Sequence, residues 1–160
     1  MNEYEVIFMI HFVPIDEKNY NESFKLSVFD HQRKFVASNE RSLAQAYIYR
    51  NDVEPYAIYD DAVMVGFMQI IPEEDDPKCL YLWRFMIDQN HQKKGYGKAA
   101  MLQLIDMAKA RNKYETLKLS VEPENAVAIH LYESFGFKAN GVIDDGEAEM
   151  VLPLTTTNSL

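Results

Sequence analysis

The sequence predicts a mixed α/β domain, and three features carry that prediction. Two β-rich runs flank Asp60-Asp61 within residues 55–71, the pattern of a hairpin of antiparallel strands. From residue 79 onward the periodicity alternates between two and 3.6, giving strand, helix, strand, helix, strand. A chain of 160 residues, 48% hydrophobic and 26% charged, is long enough to bury one core and is ordinary for a soluble globular protein. A single domain over 1–160 is expected.

The opening "MNEYEVIFMIHFVPID" reads as a first strand. Its apolar stretch is short, contains His11 and follows acids, so it fits neither a signal peptide nor a membrane span. Either Met1 or Met9 would open such a domain. Residues 16–29 read as a helix, with Tyr20, Phe24 and Val28 at four-residue spacing. "SLAQAYIY" (42–49) reads as a short helix with Leu43, Ala46 and Tyr47 inward. After the hairpin and the loop "PEEDDPK", "CLYLWRFMID" (79–88) is apolar on both faces, as a central strand is. Helix 97–112 buries Met101, Leu104, Ile105 and Ala108. "TLKLSVE" (116–122) alternates as a strand. Asn125 then caps a helix with a Val127, Leu131, Phe135 stripe, ended by Gly136. "GFKAN" and "EAEMVLPL" supply the last two strands.

The net charge of −9 disfavours nucleic acid as a partner, since phosphate binding wants a basic face. Residues 51–76 hold eight acids and no lysine or arginine. They are either a solvated surface or an attractor for a cationic substrate. One cysteine, Cys79, allows no internal disulfide, reads as a buried inert thiol and fits a reducing cytosol. His11, His31, His91 and His130 lack metal-ligand spacing, and no metal is expected.

One stretch breaks the acidic pattern. "QNHQKKGYGKAA" places Lys93, Lys94 and Lys98 around Gly95 and Gly97, at the start of a helix. A helix start presents unpaired N–H groups and the positive end of the macrodipole, so it suits an anion. Glycines let the backbone turn tightly and approach a ligand. A diphosphate is the obvious occupant. "GYGKAA" formally matches the dinucleotide fingerprint, with Glu122 near a ribose-binding position, but that fingerprint follows its strand directly and here "QNHQKK" intervenes.

Gln92-Lys93-Lys94-Gly95-Tyr96-Gly97 has the Q/R-x-x-G-x-G/A pattern of the GCN5-related N-acetyltransferases, and the chain resembles that family. "VEPENAVAIHLYESFGF" looks like the family's second block, with Asn125, Tyr132 and Gly136-Phe137 at its marked positions. The resemblance is clear over 79–138 and extends over 55–154. "LYLWRFMID", "SLAQAY" and "PYAIYDD" look most like bacterial spermine/spermidine acetyltransferases. The resemblance implies a central, mostly antiparallel twisted sheet, flanked by helices and splayed at its central strands. It implies acetyl-CoA as co-substrate, a polyamine or other cationic amine as acceptor, a cytoplasmic protein and a possible homodimer. Phe85, Met86 and Ile87 would line the pantetheine arm. Gln92, Lys93, Lys94, Gly95, Tyr96, Gly97 and Lys98 would surround the pyrophosphate. Asn125 would hold the cofactor arm, and Tyr132 would stand near the thioester sulfur.

Helical geometry agrees with this. Seven residues are about two turns, so Asn125 and Tyr132 share a face, with the small Ala128 between them. A core tyrosine is the structural alternative for Tyr132. The acceptor amine, protonated at neutral pH, needs a base. Glu122 is the first candidate, followed by Glu54 and Asp88, because Trp83 stands where mammalian-type polyamine acetyltransferases carry a glutamate. Tyr47, Tyr49, Tyr56 and Trp83 are candidate walls for the methylenes of a polyamine. The competing functions are a protein or peptide N-acetyltransferase, a dinucleotide-dependent oxidoreductase and a non-catalytic CoA sensor.

Overall fold

The computed structural model describes residues 7–154. Residues 1–6, which include part of the expected first strand and the Met1 start, lie outside the described residues. Seven strands form one sheet in the order β1-β2-β3-β4-β5-β7-β6. They are β1 Ile10–Pro14, β2 Glu54–Asp60, β3 Val63–Pro72, β4 Cys79–Ile87, β5 Thr116–Val121, β6 Lys138–Asp144 and β7 Glu147–Pro153. Only β4 and β5 are parallel; every other neighbouring pair is antiparallel. The helices are α1 Tyr20–Lys25, α2 Asn39–Ile48, α3 Tyr96–Ala110 and α4 Ala126–Ser134. Among the described residues no helix is long and apolar enough to cross a membrane.

The main core lies between the sheet and α3. Ala100, Met101, Leu104, Ile105 and Ala108, the face expected from the spacing, pack on Leu80, Leu82, Leu117, Leu119 and Met150. Strand alternation sends Leu117, Leu119 and Val121 of β5 into that core, and Lys118 and Ser120 to the opposite face. That opposite face lies under α2, whose Gln45 accepts a 2.7 Å hydrogen bond from Arg84 of β4.

Three expectations for the first half are corrected. The helix predicted over 16–29 stops at Lys25, because tertiary hydrogen bonds capture the next residues. Ser27 N–H donates to Asp88 at 2.9 Å, and the Ser27 carbonyl accepts from Gln89 N–H at 2.7 Å. The second helix starts at Asn39 rather than 42, since Ser38 caps it by accepting from Arg41 N–H at 3.2 Å. Its inward face is Asn39, Ser42 and Ala46, and Tyr47 is 67% exposed. Polar residues are tolerated inward because they find partners, as when Asn39 donates to the Ser23 carbonyl at 2.8 Å. In α4 the expected stripe is rotated: Val127 is 80% exposed, and Tyr132 is the buried residue.

Candidate active site

β4 and β5 pair from Cys79↔Thr116 to Leu82↔Leu119 and no further. β4 continues to Ile87 bonded to β3 alone, so its edge toward β5 opens into a wedge. A register shift produces the divergence. Gln69 pairs with Arg84 and Ile70 with Leu82, which leaves Trp83 as the extra residue of a β-bulge that bends β4. Gly66 keeps β3 against this bent segment, where a Cβ would collide with the Met86 carbonyl. Phe85, Met86 and Ile87 therefore form the β4 edge of the wedge.

The mouth of the wedge is the turn into α3. Lys93 and Gly95 take positive φ, +61° and +97°, and Gly95 is the N-cap. The first return bond is Ala99 N–H to the Gly95 carbonyl at 3.1 Å, so the earlier N–H groups of the turn have no intrahelical partner. Lys93, Lys94 and Lys98 are exposed, and among the described residues none is paired with a carboxylate. Gly97 differs from what its motif suggested. Its φ is ordinary, and a Cβ there would lie 3.7 Å from Leu131 Cδ2 and 3.8 Å from Ile87 Cγ1, tolerable contacts. Only Gly95 needs glycine for its backbone; Gly97 leaves space at the point where α3, α4 and the end of β4 converge.

Two residues of the motif work on the protein itself. Gln92 Nε2 donates to the Ile87 carbonyl at 3.0 Å and to Gln32 Oε1 at 2.9 Å, while Gln32 Nε2 donates back to Gln92 Oε1 at 3.1 Å. Gln92 thereby joins the turn to both β4 and the α1–α2 segment. The Tyr96 hydroxyl donates to Asp60 at 2.7 Å, and its ring packs 4.4 Å from Phe8. Its side chain is thus committed to the β1–β2 side, leaving its backbone for a ligand.

α4 forms the other wall. Asn125 Oδ1 accepts from Ala128 N–H at 3.3 Å and caps the helix. Gly136, at φ +96°, ends it, with Phe137 N–H bonded to the Tyr132 carbonyl at 3.2 Å. Tyr132 is 9% exposed and lies 5.8 Å from Phe137. Burial alone pushes its hydroxyl up to about 12, so it stays protonated throughout the neutral range. Ala128 and Tyr132 both pack against the core, with Ala128 partly exposed.

The candidate bases separate cleanly. Glu54 is a structural residue. It accepts from Arg111 Nη1 and Nη2 at 2.6 and 2.8 Å and from the Tyr56 hydroxyl at 2.7 Å, and the Arg111 bonds hold its carboxyl below the usual range. Asp88 is buried and caps the turn after β4 by accepting from Asn90 and Ser27 N–H groups. Glu122 alone of the three stands at the open end, directly after Val121. Sequence reasoning missed Glu147, which begins β7 beside it: Ala148 pairs with Val121, so the two glutamates are neighbours beyond that pair. Burial and the nearby Glu122 raise the Glu147 carboxyl above its ordinary value. The signal was present only in the pairing of β5 with β7.

The acidic loop lies away from the wedge. Residues 73–76 precede Cys79, at the opposite end of β4 from Ile87, nine residues or about 26 Å away. Glu73 is paired with Lys118 at 2.9 Å, and Asp60 and Glu54 are engaged as described. Of the aromatic candidates, Tyr49 and Trp83 meet edge to face at 5.6 Å, whereas Tyr56 is tied to Glu54 and Tyr47 lies under Arg50. Cys79 is buried with a raised thiol value, as an inert cysteine should be. Among the described residues no cluster suited to a metal occurs.

A wedge between parallel strands, an N–H-rich cationic turn at one end and a buried phenol at the other suit an elongated diphosphate thioester. The Acetyltransferase (GNAT) family model matches residues 17–137. The chain belongs to the GNAT acetyltransferase family. It is an acetyl-CoA-dependent N-acetyltransferase with the mixed α/β fold of that family. A curated relative, the spermine/spermidine N(1)-acetyltransferase of Bacillus subtilis (strain 168), is 33% identical over 149 residues, covering 88% of this chain and 95% of the relative. Among solved structures, the spermidine N-acetyltransferase of Vibrio cholerae in complex with CoA and spermine has a TM-score of 0.72 at 17% identity, covering 91% of this chain and 95% of that one. An aminoglycoside acetyltransferase in complex with coenzyme A reaches 0.76 at 17% identity, with coverage of 90% and 94%.

Proposed function

We propose that this acetyltransferase modifies a primary amine of a polyamine, spermidine or spermine, using Tyr132 and an open-end carboxylate, with Glu122 the one named by the sequence. The reading is supported by the Bacillus relative's substrate and, above all, by one structural observation. Glu122, Asp144, Asp145 and Glu147 gather where β5 ends and β7 begins, and among the described residues none has a lysine or arginine within ion-pair distance. A flexible polycation offers little besides spaced charge, so unneutralised carboxylates beside an aromatic wall of Trp83 and Tyr49 are what its recognition requires.

The turn at 92–98 would hold the pyrophosphate through N–H groups and lysine charge, and Phe85, Met86, Ile87, Asn125 and Ala128 would flank the pantetheine arm. The amine, once deprotonated, attacks the thioester carbonyl. N–H groups at the splayed end of β4 would take the charge on oxygen. Tyr132 would donate a hydrogen bond to the departing thiolate. A thiol near 8.5 cannot strip a phenol at about 12, so hydrogen bonding to the thiolate is the larger share of its role.

Purified protein, acetyl-CoA and a panel of monoamines, polyamines and lysine peptides, read by release of free thiol, test this. Efficiency should rise with acceptor charge, from monoamine through spermidine to spermine, and should fall with added salt. Equal efficiency on a monoamine and on spermine at low and high salt would rule the polyamine reading out.

A further inference from the structure

We infer that the hydrogen-bonded pair Tyr81–Ser120 forms the floor of the wedge and sets the size of the acyl group transferred, admitting acetyl and excluding longer chains. The inference rests on the reading of the turn at 92–98 and the β4 edge as the path of the thioester. It adds a specificity determinant to that reading. Neither residue belongs to the motifs that mark the cofactor site.

The floor lies where the ladder ends. Leu82↔Leu119 is the last pair of β4 with β5, and Ser120 is the first β5 residue beyond it. On the core face this end is closed by Leu82 and Leu119 themselves, 4% and 1% exposed. On the opposite face strand alternation presents Tyr81, Lys118 and Ser120. Tyr81 is opposite Lys118 in register, and the Lys118 ammonium stands 5.8 Å from the centre of its ring. The Tyr81 hydroxyl donates to Ser120 Oγ at 3.0 Å. The side chain thus starts on β4, lies beside two successive outward positions of β5, a step of about 6.6 Å, and ends one residue inside the fork. Lys118 is itself held by Glu73 at 2.9 Å and Glu149 at 3.3 Å, which backs the ring from the paired side.

Depth decides what meets this floor. The mouth of the wedge is fixed at Ile87, since a Cβ on Gly97 would lie 3.8 Å from Ile87 Cγ1 and Gln92 donates to the Ile87 carbonyl. From Ile87 down to Leu82, with the bulge between them, is about 15 Å. The arm that joins a diphosphate to a thioester sulfur has about twelve bonds and extends about 14 Å, at the reach per bond of an extended backbone. With the diphosphate in the turn, the sulfur comes within about one residue of the last rung, and the acyl group meets the floor. A third or fourth carbon runs into the packed leucines or into the Tyr81–Ser120 bar. The bar is the part that substitution can open, because Tyr81 and Ser120 keep solvent contact whereas Leu82 and Leu119 are locked in the core. The pair takes no part in the bond changes. Whichever acyl group is carried, the C–N bond forms, the C–S bond breaks with its electron pair on sulfur, and the nitrogen gives up a proton.

The test compares acetyl-, propionyl- and butyryl-CoA with free CoA in wild type, Tyr81→Leu, Tyr81→Phe and Ser120→Ala. Thermal melts read binding, and thiol release with the best acceptor amine reads turnover. Wild type should lose about 10–200-fold in kcat/KM from acetyl- to propionyl-CoA, the usual effect of one methylene too many in a tight site. Butyryl-CoA should raise its melting temperature less than free CoA does. Tyr81→Leu should cut the acetyl-to-propionyl ratio about tenfold or more and bring the butyryl-CoA shift up to that of free CoA. Tyr81→Phe and Ser120→Ala, which break the bond but keep the ring, should move both readouts the same way by less. If Tyr81→Leu shows no melting shift with free CoA, the two milder variants decide. A wild type that uses butyryl-CoA as well as acetyl-CoA would overturn the assignment. So would variants that respond to free CoA yet keep the wild-type order of melting shifts and rates. No melting shift with free CoA in wild type would instead overturn the reading of the turn itself.

Discussion

The two ends of the β4–β5 pair carry acids of opposite character. At the closed end, where Cys79 to Leu82 pair with Thr116 to Leu119, carboxylates on or beside the strands are matched by lysines, Glu73 and Glu149 with Lys118 and Glu115 with Lys78 at 3.0 Å. Glu74, Asp75 and Asp76 of the exposed loop make no ion pair among the described residues. At the open end, Glu122, Asp144, Asp145 and Glu147 surround strands that have separated, and among the described residues no lysine or arginine pairs with them. Acids that have been neutralised hold strands together. Acids left unmatched beside an opening keep their field for a ligand. The density of acids along the chain singled out the loop at the closed end, because only the pairing of β5 with β7 brings Glu122 and Glu147 together.

The largest expected effect belongs to the open end. Tyr132→Phe should lower kcat by about 10²–10⁴-fold in a reaction limited by chemistry, with little change in the acetyl-CoA KM, since the ring stays packed against Phe137. Near wild-type turnover, measured by thiol release, would reduce Tyr132 to a core residue. Next, CoA should stabilise the wild type by about 2.7 kcal/mol when free ligand is a hundredfold above its Kd. Gly97→Ala should weaken or abolish that shift in a thermal melt while the far-UV spectrum stays intact, because the ordinary φ and the 3.7 Å clearance admit a Cβ that would occupy the space left for the ligand. A melting shift with NADH but not with CoA would contradict the assignment of the turn.

The smallest effect concerns a matched acid elsewhere. Arg111→Met should destabilise by about 1–2 kcal/mol, below the value for a fully buried charge-assisted pair because both side chains retain solvent contact. The Glu54 carboxyl is lowered by Arg111, so its contribution is complete above the ordinary value of 4.5 and is lost as pH falls through the lower folded value. Denaturation curves of wild type and variant should therefore converge in acid. A gap that persists there would assign the stabilisation to packing instead.

What was legible in the sequence was local. The glycine-lysine turn, the Asn125 cap and the Gly136 stop are each set by a few adjacent residues, and each stands where its spacing placed it. The β2–β3 turn followed from Asp60-Asp61, where Asp61 takes φ 51°. What could not be read depended on distant partners. Residues 26–29 leave the helix because Asp88 and Gln89 bind Ser27, 61 or more positions away in sequence. Glu147 gains its surroundings only when β7 pairs with β5, placing an acid from a terminal hairpin beside the end of a central strand. The bulge at Trp83, which opens the wedge, lies in an apolar run broken only by Arg84, with no glycine or proline to mark it.

The contrast between the two ends can be measured directly through the Michaelis constant for spermine. One variant neutralises the closed-end loop (Glu73→Gln, Glu74→Gln, Asp75→Asn, Asp76→Asn) and the other the open end (Glu122→Gln, Asp144→Asn, Asp145→Asn), with acetyl-CoA saturating and ionic strength low. If the unmatched acids beside the wedge receive the amine, the open-end variant should raise the spermine KM about tenfold or more, and the closed-end variant should leave it unchanged. A raised KM in the closed-end variant, with the open-end variant indistinguishable from wild type, would contradict the account.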